Sequence, residues 1–274
     1  MTTREPLGGI KHPAFRDAIA LTRQGGREAT GRYLVEDEDQ VRQALASPSA
    51  VHAVFAAPEA AGGELEAACA ARAVPLYVAG GGLLPKLVGT GYGTATAAVA
   101  VVGQRRFTLA DILEKTPDAL LLCAERIQDP RNVGVLVRTA EAAGCAALVL
   151  SADSAEPYSR QAVRSTTGSI LRLPVVLEPD LPAALRALAE RGVPVVATSA
   201  RAPSLAYDSD LSGRPLALLV GNETGGITEA ARGAATEFVR LPMAPGGASS
   251  LNVTVAAGVL VYEALRQRLA NAPP

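Results

Sequence analysis

Leu216-Ala217-Leu218-Leu219-Val220-Gly221-Asn222-Glu223-Thr224-Gly225-Gly226-Ile227-Thr228 carries the reading of this chain's fold. The first five residues form an unbroken apolar run, which reads as a strand buried on both faces. The next seven, with three glycines and one carboxylate, read as a turn, and Thr228 as the cap of a following helix. The same pattern repeats on either side. Ala119–Cys123, Ala146–Leu150, Val175–Leu177, Pro194–Thr198 and Glu237–Leu241 are further buried-strand candidates. Helical stretches lie between them, at Val133–Ala143, Leu181–Arg191 and Thr228–Ala235, with a long last helix from about Leu251 to Leu269. Apolar strands alternating with helices predict an α/β domain with a parallel sheet covered on both faces. Ligands of such sheets sit beyond the carboxyl ends of the strands.

Three polar segments follow strands and are therefore the places to look. The first runs Glu125-Arg126-Ile127-Gln128-Asp129-Pro130-Arg131-Asn132-Val133-Gly134 and on to Arg138-Thr139-Ala140. Asn132 is placed as an N-cap, and Arg138 is a lone arginine on a mostly apolar helix. Such an arginine needs an acid such as Glu141 or a water-filled cleft. The second is the turn after Val220. Its glycines permit close backbone approach to a ligand, but it has neither dinucleotide-fingerprint spacing nor a phosphate-loop lysine. The third, Leu241-Pro242-Met243 through Gly246-Gly247 to Ser249-Ser250-Leu251-Asn252, is a glycine-rich loop. Capping of the last helix explains Ser249 or Ser250 but not Asn252, and Ala256, Ala257 and Gly258 leave room for a close neighbour.

Composition narrows the classes. The chain has 274 residues, 49% hydrophobic and 19% charged, with net charge −1, so it buries a sizeable core and is not disordered. No apolar run reaches the length of a membrane helix, and residues 1–25 lack the apolar segment of a secretory signal. Cys69, Cys123 and Cys145 lack metal-ligand spacing and read as core residues in a reducing cytoplasm. Only three of the 26 basic residues are lysines. A GC-rich genome explains that bias, and so does a need to grip phosphate.

The first half reads as a smaller α/β unit: strands at Arg32–Val35, Val51–Ala56, Pro75–Ala79 and Thr96–Val102, helices at Gln40–Ala46 and Glu64–Arg72. Residues 1–32 carry a local net charge of +3 and precede the acidic run Glu36-Asp37-Glu38-Asp39. The expected organisation is a domain over 1–103, a linker over 104–117 and a second domain over 118–274.

Together the three polar segments resemble the signature motifs of the SpoU (TrmH) family of RNA ribose 2′-O-methyltransferases, in the SPOUT superfamily. Asn132, Gly134, Arg138, Thr139 and Ala140 match its first motif; Gly221, Asn222, Glu223, Gly226 and Ile227 match its second. Leu241, Pro242 and Met243 with Ser250, Leu251, Asn252, Val253 and Thr254 match its third. Arg164-Ser165-Thr166-Thr167-Gly168-Ser169 looks like the family's intervening helix. The resemblance spans Asp118 to Leu269 strongly. Arg32 to Val102 more weakly resembles the ribosomal-protein-like RNA-binding domain of rRNA-directed members. Thr224 replaces a usual glycine and the loop Ala244–Ser249 is one residue longer than typical. Glu36-Asp37-Glu38 replaces a usual Glu-Gly, and Gly89–Gly93 replaces a Pro-Gln-Gly stretch.

The resemblance implies a deep trefoil knot, which sequence pattern alone would reject. It also implies S-adenosylmethionine as cofactor, held by Gly221, Asn222, Glu223, Gly226, Ile227, Leu241, Met243, Ser250 and Leu251, with Thr198 and Ser199 as neighbours. Asn132, Arg138, Glu223, Ser250 and Asn252 would form the catalytic group. Both histidines, His12 and His52, lie in the first half, so no histidine base is available in the second. The resemblance implies Arg138 as the base, reaching across a dimer interface, or as a group that positions a phosphate or the hydroxyl. Arginine is effectively always protonated. The last helix is either a core helix or, given the resemblance, the homodimer face. Arg4, Arg16, Arg23, Arg27, Arg32, Arg105 and Arg106 are the expected RNA-backbone contacts. The two-domain layout favours 23S rRNA, in a housekeeping or antibiotic-resistance role, with no metal and no membrane partner. The alternatives are a tRNA methyltransferase, or an RNA-binding assembly factor of the same fold that has lost transfer.

Overall fold

The computed structural model describes residues 4–80, 82–88, 96–248 and 250–271, so the Gly89–Gly93 stretch and Ser249 lie outside the described residues. The chain forms two compact units. One comprises Met1–Arg105 with Pro157–Arg172; the other comprises Arg106–Glu156 with Leu173–Pro274.

The strands of the first unit are β1 (Arg4–Pro6), β2 (Arg32–Glu36), β3 (Val51–Ala56), β4 (Leu76–Val78) and β5 (Ala98–Gly103). They form one sheet in the order β1-β4-β3-β5-β2, parallel except that β5 runs antiparallel to β3 and β2. Its helices are α1 (Pro13–Ala20), α2 (Gln24–Thr30), α3 (Glu38–Ala46), α4 (Gly63–Ala71) and α5 (Leu83–Val88). Phe15 and Phe55 meet edge to face, 6.0 Å apart, in a core shared with Leu84, Leu87 and Val99. Sequence pattern misses β1, α1, α2 and α5. The α2 sequence QGGREAT has no apolar stripe; it ends on Gly31 in the left-handed conformation (φ +64°), which costs glycine least.

The second unit holds α6 (Leu109–Lys115), β6 (Leu120–Ala124), α7 (Pro130–Ala142) and β7 (Ala147–Ser151). The chain then supplies α8 (Arg160–Thr166) to the first unit and returns as β8 (Val175–Glu178), α9 (Leu181–Glu190), β9 (Val195–Thr198) and β10 (Ser204–Leu205). It closes with β11 (Leu216–Val220), α10 (Glu229–Arg232), β12 (Glu237–Arg240) and α11 (Val253–Ala270). All seven strands are parallel, in the order β10-β12-β9-β11-β6-β7-β8, as the unbroken apolar runs predict. Strands β6, β7 and β11 are buried at every position.

Two features depart from the expected organisation. Residues expected to form the linker 104–117 include Ile112, buried in the second unit's core, with Phe107, Leu109 and Leu113 packed on it. Pro157–Arg172, expected inside the second domain, groups with the first unit. The reason is electrostatic and steric. Buried Glu36 accepts hydrogen bonds from Arg160 (3.0 and 2.9 Å) and Arg164 (2.9 Å), and Tyr158 lies 5.0 Å from the buried ring of Tyr33.

Candidate active site

Because the second sheet is parallel, the carboxyl ends of β6, β9, β11 and β12 share one edge, and the polar segments singled out in the sequence leave from it. Helix α7 begins earlier than expected. Its N-cap is Asp129, whose Oδ1 accepts the Arg131 N–H (2.8 Å), with Pro130 in the first turn. Asn132 is thus not the cap but a first-turn residue, with its side chain released for another contact. Its Nδ2 donates to Glu223 Oε1 at 2.6 Å, across 91 residues of sequence. Helix α11 begins later than expected, at Val253, and the cap is Asn252 itself, accepting from Thr254 N–H at 2.9 Å and Thr254 Oγ1 at 2.6 Å. Ser250 is not that cap. The remaining amide of Asn252 approaches Asn132 Oδ1 at 3.5 Å. One residue from each polar segment therefore meets at this edge.

The turn carrying Glu223 is tightly determined. Asn222 and Gly226 exchange two backbone hydrogen bonds of 3.0 Å, and Gly226 is left-handed (φ +65°). A Cβ at Gly221 would fall 2.5 Å from the Gly226 carbonyl carbon and the Ile227 nitrogen, so no larger residue fits there. The Asn222 side chain is consumed internally. Its Oδ1 accepts the N–H groups of Thr224 (2.9 Å) and Gly225 (2.8 Å), and its Nδ2 donates to the Arg126 carbonyl (2.9 Å). Asn222 shapes the turn. Ile227 is buried in the core, while Glu223, Thr224, Gly225 and Gly226 are exposed.

The other expected residues are distributed as follows. Met243, Ser250, Leu251 and Asn252 are exposed and Leu241 half-buried. Ser199 continues the β9–β12 ladder through its N–H to the Val239 carbonyl (2.9 Å), and Thr198 Oγ1 donates to the Leu219 carbonyl (3.3 Å). Arg138 is exposed on α7, and among the described residues neither it nor Ser250 joins the Asn132–Glu223–Asn252 contacts. Thr139, beside it, faces Gly258 of α11, whose added Cβ would sit 3.7 Å from Thr139 Cγ2.

Among the arginines assigned to RNA, Arg27 is corrected: it is buried, and its guanidinium donates to the Leu21 carbonyl at 2.8 Å. Arg16, Arg23 and Arg106 are exposed, and Arg32 is half-buried. Arg4 pairs with Glu66 at 3.5 Å, and Arg105 donates to the carbonyls of Leu171 and Arg172. The three cysteines are buried, which pushes the Cys69 thiol up to about 11 and those of Cys123 and Cys145 to about 12. They stay protonated in the core. Sequence reading missed Glu125, a buried carboxylate that holds Thr228. An acid directly after an apolar strand was the available signal.

A parallel α/β sheet with polar turns gathered at its carboxyl edge defines a ligand-binding α/β fold. The sequence matches the SpoU rRNA Methylase family over residues 119–262, and the chain belongs to that family. It is 39% identical over 163 residues to the 23S rRNA (guanosine-2′-O-)-methyltransferase RlmB of Vibrio cholerae, covering 60% of this chain and 65% of that protein. The match therefore spans somewhat less than two thirds of that relative. An uncharacterized tRNA/rRNA methyltransferase of Synechocystis sp. is 32% identical over 271 residues, 98% of this chain and 96% of that one. Among solved structures, the SpoU methyltransferase AviRb of Streptomyces viridochromogenes, in complex with AdoMet, aligns with a TM-score of 0.82 at 29% identity. That alignment covers 96% of this chain and all (100%) of that one. No helix among the described residues is long and apolar enough to cross a membrane.

Proposed function

We propose that this protein transfers a methyl group from S-adenosylmethionine to a ribose 2′-hydroxyl of RNA, with 23S rRNA as the substrate class. The observation that carries the reading is the convergence of Asn132, Glu223 and Asn252 on one edge of the parallel sheet. The donor set fits the cofactor. The turns 221–227 and 241–252 contain no lysine or arginine and a single carboxylate, Glu223. A lining with one carboxylate and no cationic side chain suits a nucleoside bearing a sulfonium charge. The backbone of these turns, with Leu241, Met243 and Leu251, would hold the adenosine; Thr198 and Ser199 flank it. A deep trefoil knot threading these turns belongs to the same reading.

When bound, the cofactor supplies an electrophilic methyl carbon. That carbon would pass to the ribose oxygen, with S-adenosylhomocysteine as the leaving group and the hydroxyl proton released to water. The chain's part is placement, since in-line geometry supplies up to about 7–11 kcal/mol of such a barrier. Asn132 and Glu223 fix each other, Asn252 approaches Asn132 beside them, and Ser250 would join them at the bound ribose. Arg138, exposed in the single chain, holds the hydroxyl or its neighbouring phosphate through its guanidinium N–H groups. The working species is a homodimer formed through α11, acting in the cytoplasm, and the first unit contributes RNA contacts through Arg4, Arg16, Arg23, Arg32, Arg105 and Arg106.

Methyl transfer from labelled S-adenosylmethionine to 23S, 16S and tRNA fractions lacking the modification tests this. Label on the 2′-oxygen of 23S rRNA, lost in Arg138→Ala, is the expected result. Label on tRNA would replace the substrate class, and cofactor binding without transfer to any RNA would favour an assembly factor.

A further inference from the structure

Beyond the motif residues, one dipeptide touches the Glu223 turn at both ends. Glu125 N–H donates to the Val220 carbonyl at 3.0 Å, just before the turn begins. Its carboxylate, buried at 3% exposure, accepts from Thr228 N–H and from Thr228 Oγ1, each at 2.7 Å, just after the turn ends. Arg126 adds a third hold inside the turn, its carbonyl accepting from Asn222 Nδ2 at 2.9 Å. Arg126 adopts φ +57°, a conformation that non-glycine residues rarely take and that is kept only where surroundings enforce it. The enforcement is visible: its N–H donates to Ser151 Oγ (2.8 Å) while its carbonyl faces Asn222.

A buried carboxylate is costly unless its charge is met by good donors. Here Thr228 supplies two of them. Thr228 also caps α10, its Oγ1 accepting the Ala231 N–H at 3.2 Å, so one contact fixes the exit from the turn and the helix after it. Glu125 does not reach Asn132 or Glu223 directly; it acts through the turn.

From this we infer that Glu125 is a positioning residue for the 221–227 turn, setting both the cofactor's backbone contacts and the reach of Glu223 to Asn132. The inference rests on the methyltransferase reading above, and its test separates the two. Hydrogen exchange of the amides of 222–228 and calorimetric binding of S-adenosylmethionine are measured on the full chain and on Glu125→Gln, Thr228→Val and the double variant, well below their melting temperatures. In Glu125→Gln the turn amides exchange at least tenfold faster, the β11 amides are unchanged, and the cofactor Kd rises about tenfold. Thr228→Val, which keeps its N–H donor but loses Oγ1 and with it the α10 cap, loosens the turn as well. The double variant is worse by less than the sum of the two, because they share the Oγ1–carboxylate bond. Unchanged exchange of the turn in Glu125→Gln, or a lowered melting temperature with unaltered cofactor Kd, overturns the positioning role. A loosened turn in a protein whose unaltered form binds no S-adenosylmethionine upholds the hold on the turn and overturns the methyltransferase reading.

Discussion

Asn132 and Glu223 form their 2.6 Å contact at an exposed edge, where a side-chain hydrogen bond contributes little to stability. Removing it should therefore show in turnover. Asn132→Ala is expected to lower kcat/KM for methyl transfer about ten- to a hundredfold while moving Tm by less than about 2 °C; paired kinetics and thermal scans check this. Asp37 presents the opposite case. It sits at φ +85°, ψ 135° and caps α3 by accepting the Asp39 N–H at 3.0 Å. Strain of that kind costs on the order of 1–3 kcal/mol in a non-glycine residue, and Gly at an N-cap loses only a few tenths. Asp37→Gly should raise stability, whereas Asp37→Ala keeps the strain, loses the cap and should cost about 1 kcal/mol. Urea midpoints of the two variants should move in opposite directions. In the sequence this position shows only as part of an acidic run. Capping was misassigned for a similar reason. Asn132 and Asn252 are equally good caps by type, and only the folded positions of Pro130 and Val253 decide that Asn252 is one and Asn132 is not.

Helices and strands were legible where their burial was periodic or complete. Val51–Ala56 and Leu216–Val220 are found as read, the first from its alternation and the second from its unbroken apolar run. Helix α2, with two glycines, and the exposed edge strand β1, Arg4–Pro6, carry no such signal. They exist because tertiary contacts overrule local preference. Arg27 illustrates the cost of reading charge without burial: a basic residue in a basic stretch proved to hold a backbone carbonyl. At this scale α11 has its own pH dependence. Glu263 is held down to about 2, first by the Arg266 hydrogen bond and also by Gln267. A depressed carboxylate stabilises fully above its unfolded value, near 4.3, and loses that contribution as pH falls toward 2. Arg266 is largely exposed, so the effect is at most about 1 kcal/mol. The stability difference between the unaltered chain and Glu263→Gln should be present at pH 6 and absent near pH 2.

Across the whole molecule, α11 exposes Val255 (50%), Tyr262 (49%) and Leu269 (67%) on its outer side. These three residues are where the proposed homodimer would meet its partner. Val255→Asp with Tyr262→Asp should turn the expected dimer into a monomer in sedimentation equilibrium and abolish methyl transfer; an unchanged mass would remove α11 from the interface. Glu36 extends the argument to the first unit. Its buried carboxylate is met by two arginines that the sequence places more than a hundred residues away, and removing one member of such a buried group costs about 3–5 kcal/mol. A fragment ending at Arg105 lacks both arginines. It should give no cooperative unfolding transition by circular dichroism, and adding a peptide of residues 157–172 should restore one.

The path of the chain through α8 also bears on how the protein is born. Domains usually fold in order as they leave the ribosome, the amino-terminal one first. Here the first unit is unfinished until residue 172 has emerged, by which time β6, α7 and β7 are already synthesised. The nascent amino-terminal part must wait, its Glu36 without partners, while sticky strands of the next sheet accumulate behind it. Translation speed over residues 106–172 thus becomes a determinant of yield. A chimera that exchanges the first unit as one contiguous cassette inherits the same unfinished half.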